Sequence, residues 1–533
     1  MKQKVDGILG KYPASVFKNR KEHVVVKTLE DDGPLTIQAN TRTIPGIITT
    51  RGCCFAGCKG VVLGPLRDLV CIVHGPIGCS YYSWGTRRHK GRSTEGEQNL
   101  LNYCFSTDMQ EGDIVFGGEK KLRQAVKEAV EIFKPAAIAI CATCPVGLIG
   151  DDINAVAAES EKLYGIKVMA FNCEGYKGVS QSAGHHIANN GLIKHVVGTG
   201  DVEYGKYAIN ILGEYNIGGD AWEIERVLNK IGYYEIITTM TGNGTYRDLK
   251  SAHKANLNLV QCHRSINYIA DMLNKKYGTN WMKVNFIGIK SFTKSLRDMA
   301  RYFDDPGLIA RTEEVIEEEL AEITPELDKY GKMCEGKTAM LFVGGSRAHH
   351  YQSLFKDIRI ETILAGYEFA HRDDYEGREV LPFIKEDADS KNIENLEVEP
   401  DIKNYRIFLS KEKYEQLKKE IPLNYYAGMI REMSNGSIIV DDLNHYEMEE
   451  LIKLLKPDIY CSGIKDKYVA QKMGVFSKQL HSYDYSGPYA GFRGAVNFAR
   501  DIAMGLTTPA WKYVTPPWKT EPVLEGEYIE EVV

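Results

Sequence analysis

What this chain of 533 residues lacks narrows its function before any motif is read. It has no long apolar run. The longest stretch without Asp, Glu, Lys or Arg is Leu69 to Thr86, and His74, Gly75, Pro76 and Gly78 interrupt it. The next, Pro135 to Gly150, is too short to cross a bilayer. The first residues, Met1-Lys-Gln-Lys-Val-Asp6, have none of the apolar core of a secretory signal. A cytoplasmic protein without a membrane partner is therefore expected. Positive charge is not in excess: the formal net charge is −6, which argues against a nucleic-acid partner. No internal period of about 20–50 residues is visible, so a solenoid is excluded. No G-x-x-x-x-G-K-S/T loop and no convincing G-x-G-x-x-G occur, so the chain shows no sign of binding ATP or NAD itself.

What is present in quantity is cysteine, twelve residues in all. In a reducing compartment these need a reading other than disulfides. Cys71, Cys104, Cys173, Cys334 and Cys461 read as free, buried, structural thiols. Others sit in glycine- and proline-rich turns just after apolar runs. Asp68-Leu-Val-Cys-Ile-Val-His74 leads into Gly75-Pro-Ile-Gly-Cys79, and Ala136-Ala-Ile-Ala-Ile-Cys-Ala-Thr-Cys144 into Pro145-Val-Gly147. Arg51-Gly-Cys53-Cys54-Phe-Ala-Gly-Cys58-Lys-Gly60 is the third such turn. A short β-rich run ending in Gly and Cys reads as a buried parallel strand opening at its carboxyl end, where α/β proteins bind ligands. Thiolates are soft ligands for iron and zinc, and glycine lets backbone approach a bulky inorganic group.

The length suggests roughly three domains of about 150–200 residues. Short apolar runs alternate with amphipathic stretches, the pattern of parallel sheets covered on both faces. Strands are expected at Asp113–Phe116, Ile138–Cys141, Val168–Asn172, Ala208–Leu212, Glu235–Met240, Val284–Ile287, Thr338–Val343, Arg359–Leu364, Ser437–Val440 and Asp458–Cys461. Helices are expected at Glu119–Phe133, Ala221–Ile231, Leu259–Lys275, Lys294–Phe303, Glu313–Ile323 and Tyr446–Leu455. Asp373 to about Asn435 is rich in Lys, Glu and Asp and reads as an exposed insertion with one surface helix, mainly a solvated face.

Cys53, Cys79 and Cys144 together point to a metal–sulfur cluster at a strand-end crevice. Cys141-Ala-Thr-Cys144 alone fits a redox dithiol or half of a zinc site, but no second C-x-x-C follows. Iron–sulfur clusters tolerate dispersed thiolates. Three ligands are an awkward number for a four-cysteine cluster, so a fourth comes from elsewhere or a partner chain completes the site. A second constellation joins Cys262, in Leu259-Val-Gln-Cys-His-Arg-Ser265, with His481 in an aromatic glycine-containing turn and with His185-His186.

Six motifs carry a resemblance. They are Arg51-Gly-Cys-Cys, His74-Gly-Pro-Ile-Gly-Cys79, Cys144-Pro-Val-Gly-Leu-Ile-Gly-Asp-Asp152, Gly178-Val-Ser-Gln-Ser-Ala-Gly-His-His186, Tyr215-Asn-Ile-Gly-Gly-Asp220 and His481-Ser-Tyr-Asp-Tyr-Ser-Gly-Pro-Tyr489. From about Tyr12 to about Trp518, apart from the charged insertion, the chain resembles the α chains of the nitrogenase molybdenum–iron protein family. It looks like the long variant with an internal insertion.

The resemblance implies an α/β fold of three Rossmann-like domains, with parallel sheets around a central cofactor crevice. Their implied bounds are 1–195 with the P-cluster thiols, 196–335 with the cofactor cysteine, and 336–533 with the cofactor histidine and the insertion near 373–435. It implies reduction of dinitrogen to ammonia with hydrogen evolution. Electrons would come from an ATP-hydrolysing iron protein through the P-cluster to an iron–molybdenum cofactor with homocitrate. Cys53, Cys79 and Cys144 match the α-chain ligands of the eight-iron P-cluster, whose other half belongs to the β chain of an α2β2 heterotetramer. Cys54, Cys58 and Cys141 have no ligand role in the family. Cys262 matches the thiolate on the terminal iron of the cofactor, and His481 the imidazole on its molybdenum. Arg87, Arg347 and His185 match donors to the cluster sulfides, with the backbone of Gly344 and Gly345 close by. Gln181 and Lys465 match residues near homocitrate, Val61 the small apolar residue over the reactive face, and Phe369 an aromatic wall. His185, Gln181, Val61 and Arg87 are thus the catalytic candidates. Thr143 stands where an acidic residue is familiar, and Ser346 and Ala348 where bulkier ones are. The rivals are a vanadium or iron-only nitrogenase α chain, a cofactor-assembly scaffold, and a light-independent protochlorophyllide reductase subunit.

Overall fold

The computed structural model describes residues 1–27, 47, 52–85, 98–177, 181–343, 347–367, 393–394, 396–425, 434, 436–480 and 486–518. Three sheets, each largely parallel, organise them. The first contains β2 (Leu69–His74), β3 (Ala137–Ala142) and β4 (Lys167–Phe171), in that order. Every residue of β2 and β3 is buried, as expected of parallel strands covered on both faces. Val70, Ile72, Ile138 and Ile140 pack outward against Leu122, Val126 and Ala129 of the helix Glu119–Phe133. Leu69, Cys71, Val73, Ala137 and Ala139 face the opposite way, into the large core shared with the second sheet. The β2–β3 register runs from Leu69↔Ala137 to His74↔Ala142. The two strands therefore end level, and the turns carrying Cys79 and Cys144 leave the same edge.

The second sheet has the order β6 (Glu235–Thr241), β5 (Ala208–Glu214), β7 (Leu257–Val260), β8 (Asn280–Lys283). The third has the order β1 (Val24–Val26), β11 (Ile438–Asp441), β10 (Glu361–Tyr367), β9 (Thr338–Phe342), β12 (Ile459–Ser462), β13 (Phe476–Gln479). Its only antiparallel pair, among the described residues, is β1 with β11. A buried ion pair fastens this N-terminal segment: Arg20 Nε and Nη2 each donate to Glu447 at 2.7 Å, and the guanidinium also reaches the carbonyls of Asp441 and Asp442.

Four expectations need correction. Asp113–Phe116 is not a strand but the end of the short helix Glu111–Phe116, started by a capping box between Gln110 and Asp113. Its apolar residues Ile114, Val115 and Phe116 are exposed. Val284–Ile287 is not a strand either; β8 lies just before it and pairs with β7. Leu259–Lys275 is not one helix. The run Leu257–Val260 is fully buried beside β5, and the helix begins only at His263, with Cys262 at its N-cap. The insertion does contain its surface helix, Lys411–Leu417. It is not simply a solvated face, however. Leu417, Ile421 and Leu423 are buried, and Asn424 takes a hydrogen bond from the Trp281 amide at 2.7 Å. This stretch covers β8, an edge strand that would otherwise offer unpaired backbone groups. Among the described residues, no helix is long and apolar enough to cross a membrane.

Candidate functional site

At the carboxyl edge of the first sheet, Cys53, Cys79 and Cys144 are exposed, whereas Cys54, Cys58, Cys71, Cys141 and Cys173 are buried. Free cysteine is ordinarily among the most buried residue types, so three exposed thiols in neighbouring turns are unusual. Cys144 starts the helix Cys144–Ile149, and Cys79 lies in the helix Ile77–Gly85. Gly175 joins two of the thiols. A Cβ there would lie 3.0 Å from Cys144 Sγ and 3.5 Å from Cys53 Sγ, so both sulfurs rest over bare backbone. Partial burial pushes the Cys79 thiol above its ordinary pKa, and Cys53 and Cys144 push it further. Among the described residues, no three Cys, His, Asp or Glu side chains converge as ligands of a single metal ion would. Thiolates are soft ligands, suited to iron and zinc. Around them Ile77, Tyr81, Tyr82, Leu148 and Tyr176 are exposed. Cys104 was expected to be buried and is exposed, because it lies in the loop after Leu100–Asn102 rather than on a strand.

The turns that carry these thiols are locked to each other. Thr143 Oγ1 donates to the His74 carbonyl at 2.8 Å, and a Cβ on Gly75 would stand 1.9 Å from that hydroxyl. An acidic residue at 143 could not donate this bond when ionised. His74 is buried between Asp151 (2.9 Å) and Thr107 (3.0 Å). Burial lowers its pKa, and Asp151 opposes that shift.

From Cys54 the chain winds into the π-helical stretch Ala56–Leu63, which packs on the helix Gln181–His195. The approach is backbone to backbone. A Cβ on Gly57 would lie 1.9 Å from the Gln181 carbonyl oxygen, and one on Gly184 1.9 Å from the Cys54 carbonyl oxygen. This contact sets half-buried Val61 on the same packed pair of elements as Gln181 and His185. Gln181 and His185 are four residues apart, hence on one helix face, and both are buried. The His185 ring lies 5.9 Å from that of Tyr215.

Tyr215 belongs to the turn after β5, and this turn gathers the remaining residues. Ile209↔Leu257 to Leu212↔Val260 is the β5–β7 register, which brings Gly213 to Cys262. Gly213 has φ +79°, and a Cβ on it would be 2.5 Å from the Cys262 Cβ. Glu214 and Asp220, both fully buried, flank Arg347, with separations of 3.8 and 3.4 Å. Burial pushes the Glu214 carboxyl up to about 7; Arg347 works against that shift and Asp220 adds to it. Gln181, His185, Val61, Cys262 and Arg347 are therefore all placed. Arg87, Gly344, Gly345, Phe369 and His481 lie outside the described residues, as does the side chain of Lys465 on the helix Ile464–Lys472. Sequence reasoning quoted the motif ending in Asp220 but gave neither Glu214 nor Asp220 a role. Their acidity at the two ends of a glycine-rich turn was the available signal.

These thiol turns on parallel sheets define the chain's class: the pattern of the family described as nitrogenase component 1 type oxidoreductase matches residues 53–507, and the chain belongs to that family. Within it, the chain is 59% identical over 516 residues to the nitrogenase molybdenum-iron protein alpha chain of Clostridium pasteurianum, covering 96% of each. It is 54% identical over 520 residues to the protein of the same name from Methanosarcina barkeri, covering 97% of each. Among solved structures, nitrogenase Cp1 at pH 6.5 superposes with a TM-score of 0.93 at 59% identity, over 97% of this chain and 100% of that one.

Proposed function

We propose that the chain is the α subunit of a molybdenum-dependent dinitrogenase, which reduces dinitrogen to ammonia and evolves hydrogen alongside. The observation that carries this reading is the set of three exposed thiols, two of them over Gly175, in an oxidoreductase of this family. Cys53, Cys79 and Cys144 would hold one half of the P-cluster. A β chain would supply the other half and cover the apolar rim of Ile77, Tyr81, Tyr82 and Leu148. The complete assembly is an α2β2 heterotetramer in the cytoplasm, served by a separate iron protein that hydrolyses ATP. Three domains, near 1–195, 196–335 and 336–533, are part of this reading; three separate sheets support it, although β1 pairs within the third sheet.

The pocket chemistry fits an anionic cluster with a tricarboxylate. Cys262 and His481 would hold the iron–molybdenum cofactor at its two ends. When bound, that cofactor supplies the multi-electron reduction. The chain's own residues do the rest. Arg347 and Arg87 would set positive charge beside the cluster, stabilising its negative charge and tuning its potential. The backbone of Gly344 and Gly345 would add N–H donors, and Gln181 and Lys465 would orient homocitrate. His185 would hold and exchange a proton at its imidazole, and the apolar side chains of Val61 and Phe369 would keep bulk water away.

The test is metal analysis and low-temperature electron paramagnetic resonance on this chain co-purified with its partner. Molybdenum with two distinct cluster types and ammonia formation is the expected result. Vanadium, or iron alone, would move the assignment to an alternative nitrogenase. A cofactor-loaded protein that forms no ammonia would make it an assembly scaffold.

A further inference from the structure

We infer that Asp220 is a positioning residue for the cofactor pocket. It fixes Arg347 and the turn before the helix Gly491–Leu506 in a single register, without touching the cofactor itself. The inference rests on the reading of Arg347 as a donor to the cluster.

Asp220 sits at the start of the helix Asp220–Ile231 and is fully buried. A buried carboxylate persists only where hydrogen bonds and opposite charge compensate its lost hydration. Here its two oxygens are divided between different tasks. Oδ1 accepts from the Tyr489 amide at 2.7 Å and from the Ala490 amide at 3.0 Å. Oδ2 lies 3.4 Å from Arg347 Nη1. One side chain thus joins three distant segments: the turn after β5, the helix Arg347–Asp357 that follows β9, and the chain that continues from the His481–Tyr489 motif.

Glu214, at the other end of the same turn, gives Arg347 a second carboxylate and caps its own turn by accepting from the Asn216 amide at 2.7 Å. The guanidinium therefore lies between two acidic groups on one rigid loop. Gly213 of that loop also abuts Cys262, so the cofactor cysteine and the cofactor arginine are held by the same stretch, Gly213–Asp220. A planar guanidinium aims its donors in fixed directions, and a small rotation changes which acceptors they meet. A bare packing role for Asp220 would not need an oxygen on Arg347.

Asp220→Asn separates the two tasks. Its amide oxygen still accepts from Tyr489 and Ala490, but its NH2 group faces the guanidinium and the ion pair is lost. The experiment compares parent, Asp220→Asn, Arg347→Gln and the double variant, each as the full complex with its partner chain. Molybdenum content, hydrogen exchange over 486–491, Tm and the cofactor's electron paramagnetic resonance spectrum are measured for each. Expected for Asp220→Asn are retained molybdenum, unchanged exchange at Tyr489 and Ala490, and a shifted spectrum. Ammonia formed per hydrogen falls about tenfold, as for the loss of an outer partner of a metal site. The double variant shows no spectral shift beyond that of Arg347→Gln. If Asp220→Asn keeps the parent spectrum while Arg347→Gln changes it, or if the two shifts add independently, the inference is overturned. A parent complex without molybdenum overturns the functional reading instead. The four proteins are then compared by Tm, where additive losses refute the pairing and non-additive losses uphold it.

Discussion

His185 and Gly57 show how single residues divide chemistry from architecture. His185 is buried on the helix that also carries Gln181, against the ring of Tyr215. An imidazole holds a hydrogen bond and exchanges a proton near neutral pH, whereas glutamine can only do the former. His185→Gln is expected to keep its molybdenum. Ammonia formation should fall about a hundredfold, the low end of a general acid–base contribution, and hydrogen formation far less. Side-by-side assays at matched molybdenum content check this; an equal loss of both products would reduce His185 to packing. Gly57 has no chemistry, but no other residue fits it, because the obstacle 1.9 Å from its Cβ position is the backbone carbonyl of Gln181. Gly57→Ala should cost about 1–3 kcal/mol or more and depress cofactor content through the displaced helix. Gly112→Ala is the control, since a Cβ there meets nothing within 4 Å. Thermal unfolding of the two variants should separate them clearly.

Elements are joined by groups that sequence periodicity does not report. The helix Ile289–Phe303 begins where the Ile289 amide donates to Asp357 Oδ2 at 2.5 Å. Burial pushes the Asp357 carboxyl up to about 6, while the Ile289 hydrogen bond and Lys290 pull the other way. The folded protein thus binds this proton more tightly than the unfolded chain. Its stability falls as pH rises from about 4 through 6, and the full cost is present above that window. Asp357→Asn keeps an acceptor for Ile289 and cannot ionise. It should match the parent below about pH 4 and exceed it by about 1–3 kcal/mol above pH 7. A Tm series between pH 4 and 8 measures this, and a gap that does not widen with pH would contradict it. At the same scale, the helix Glu119–Phe133 and the strand β3 were legible because apolar spacing alone dictates them. Leu257–Val260 was misread because a short buried apolar run next to a helix has no period of its own. The insertion was misread because its apolar residues Leu417, Ile421 and Leu423 are few among many charges, yet they decide where it packs.

At the scale of the whole molecule, the proposed function requires a partner chain to complete the thiol site. Three exposed thiols and the exposed rim of Ile77, Tyr81, Tyr82 and Leu148 lie on and around one sheet edge. A cluster bound across two chains adds its binding free energy to their association. Cys144→Ala should lower P-cluster content and weaken association with the β chain. Iron analysis and sedimentation at graded concentration are the measurements. An isolated α chain that carries a complete eight-iron cluster would sink the idea.

The sequence by itself determined the strand-and-turn grammar: apolar runs long enough for one buried strand, each ending in glycine or proline where a ligand can approach. It also determined the candidate thiols, because cysteine beside glycine after a buried strand is a local pattern. Only the tertiary structure decided which cysteines face outward, since exposure depends on what else packs there; Cys104 reads as a buried thiol in the sequence and is exposed in the fold. It alone placed Gly213 against Cys262 and set Glu214 and Asp220 around Arg347. Those contacts join residues more than a hundred positions apart in the Arg347 pairs. They follow from strand register and the shared burial of charge, which no local stretch of sequence encodes.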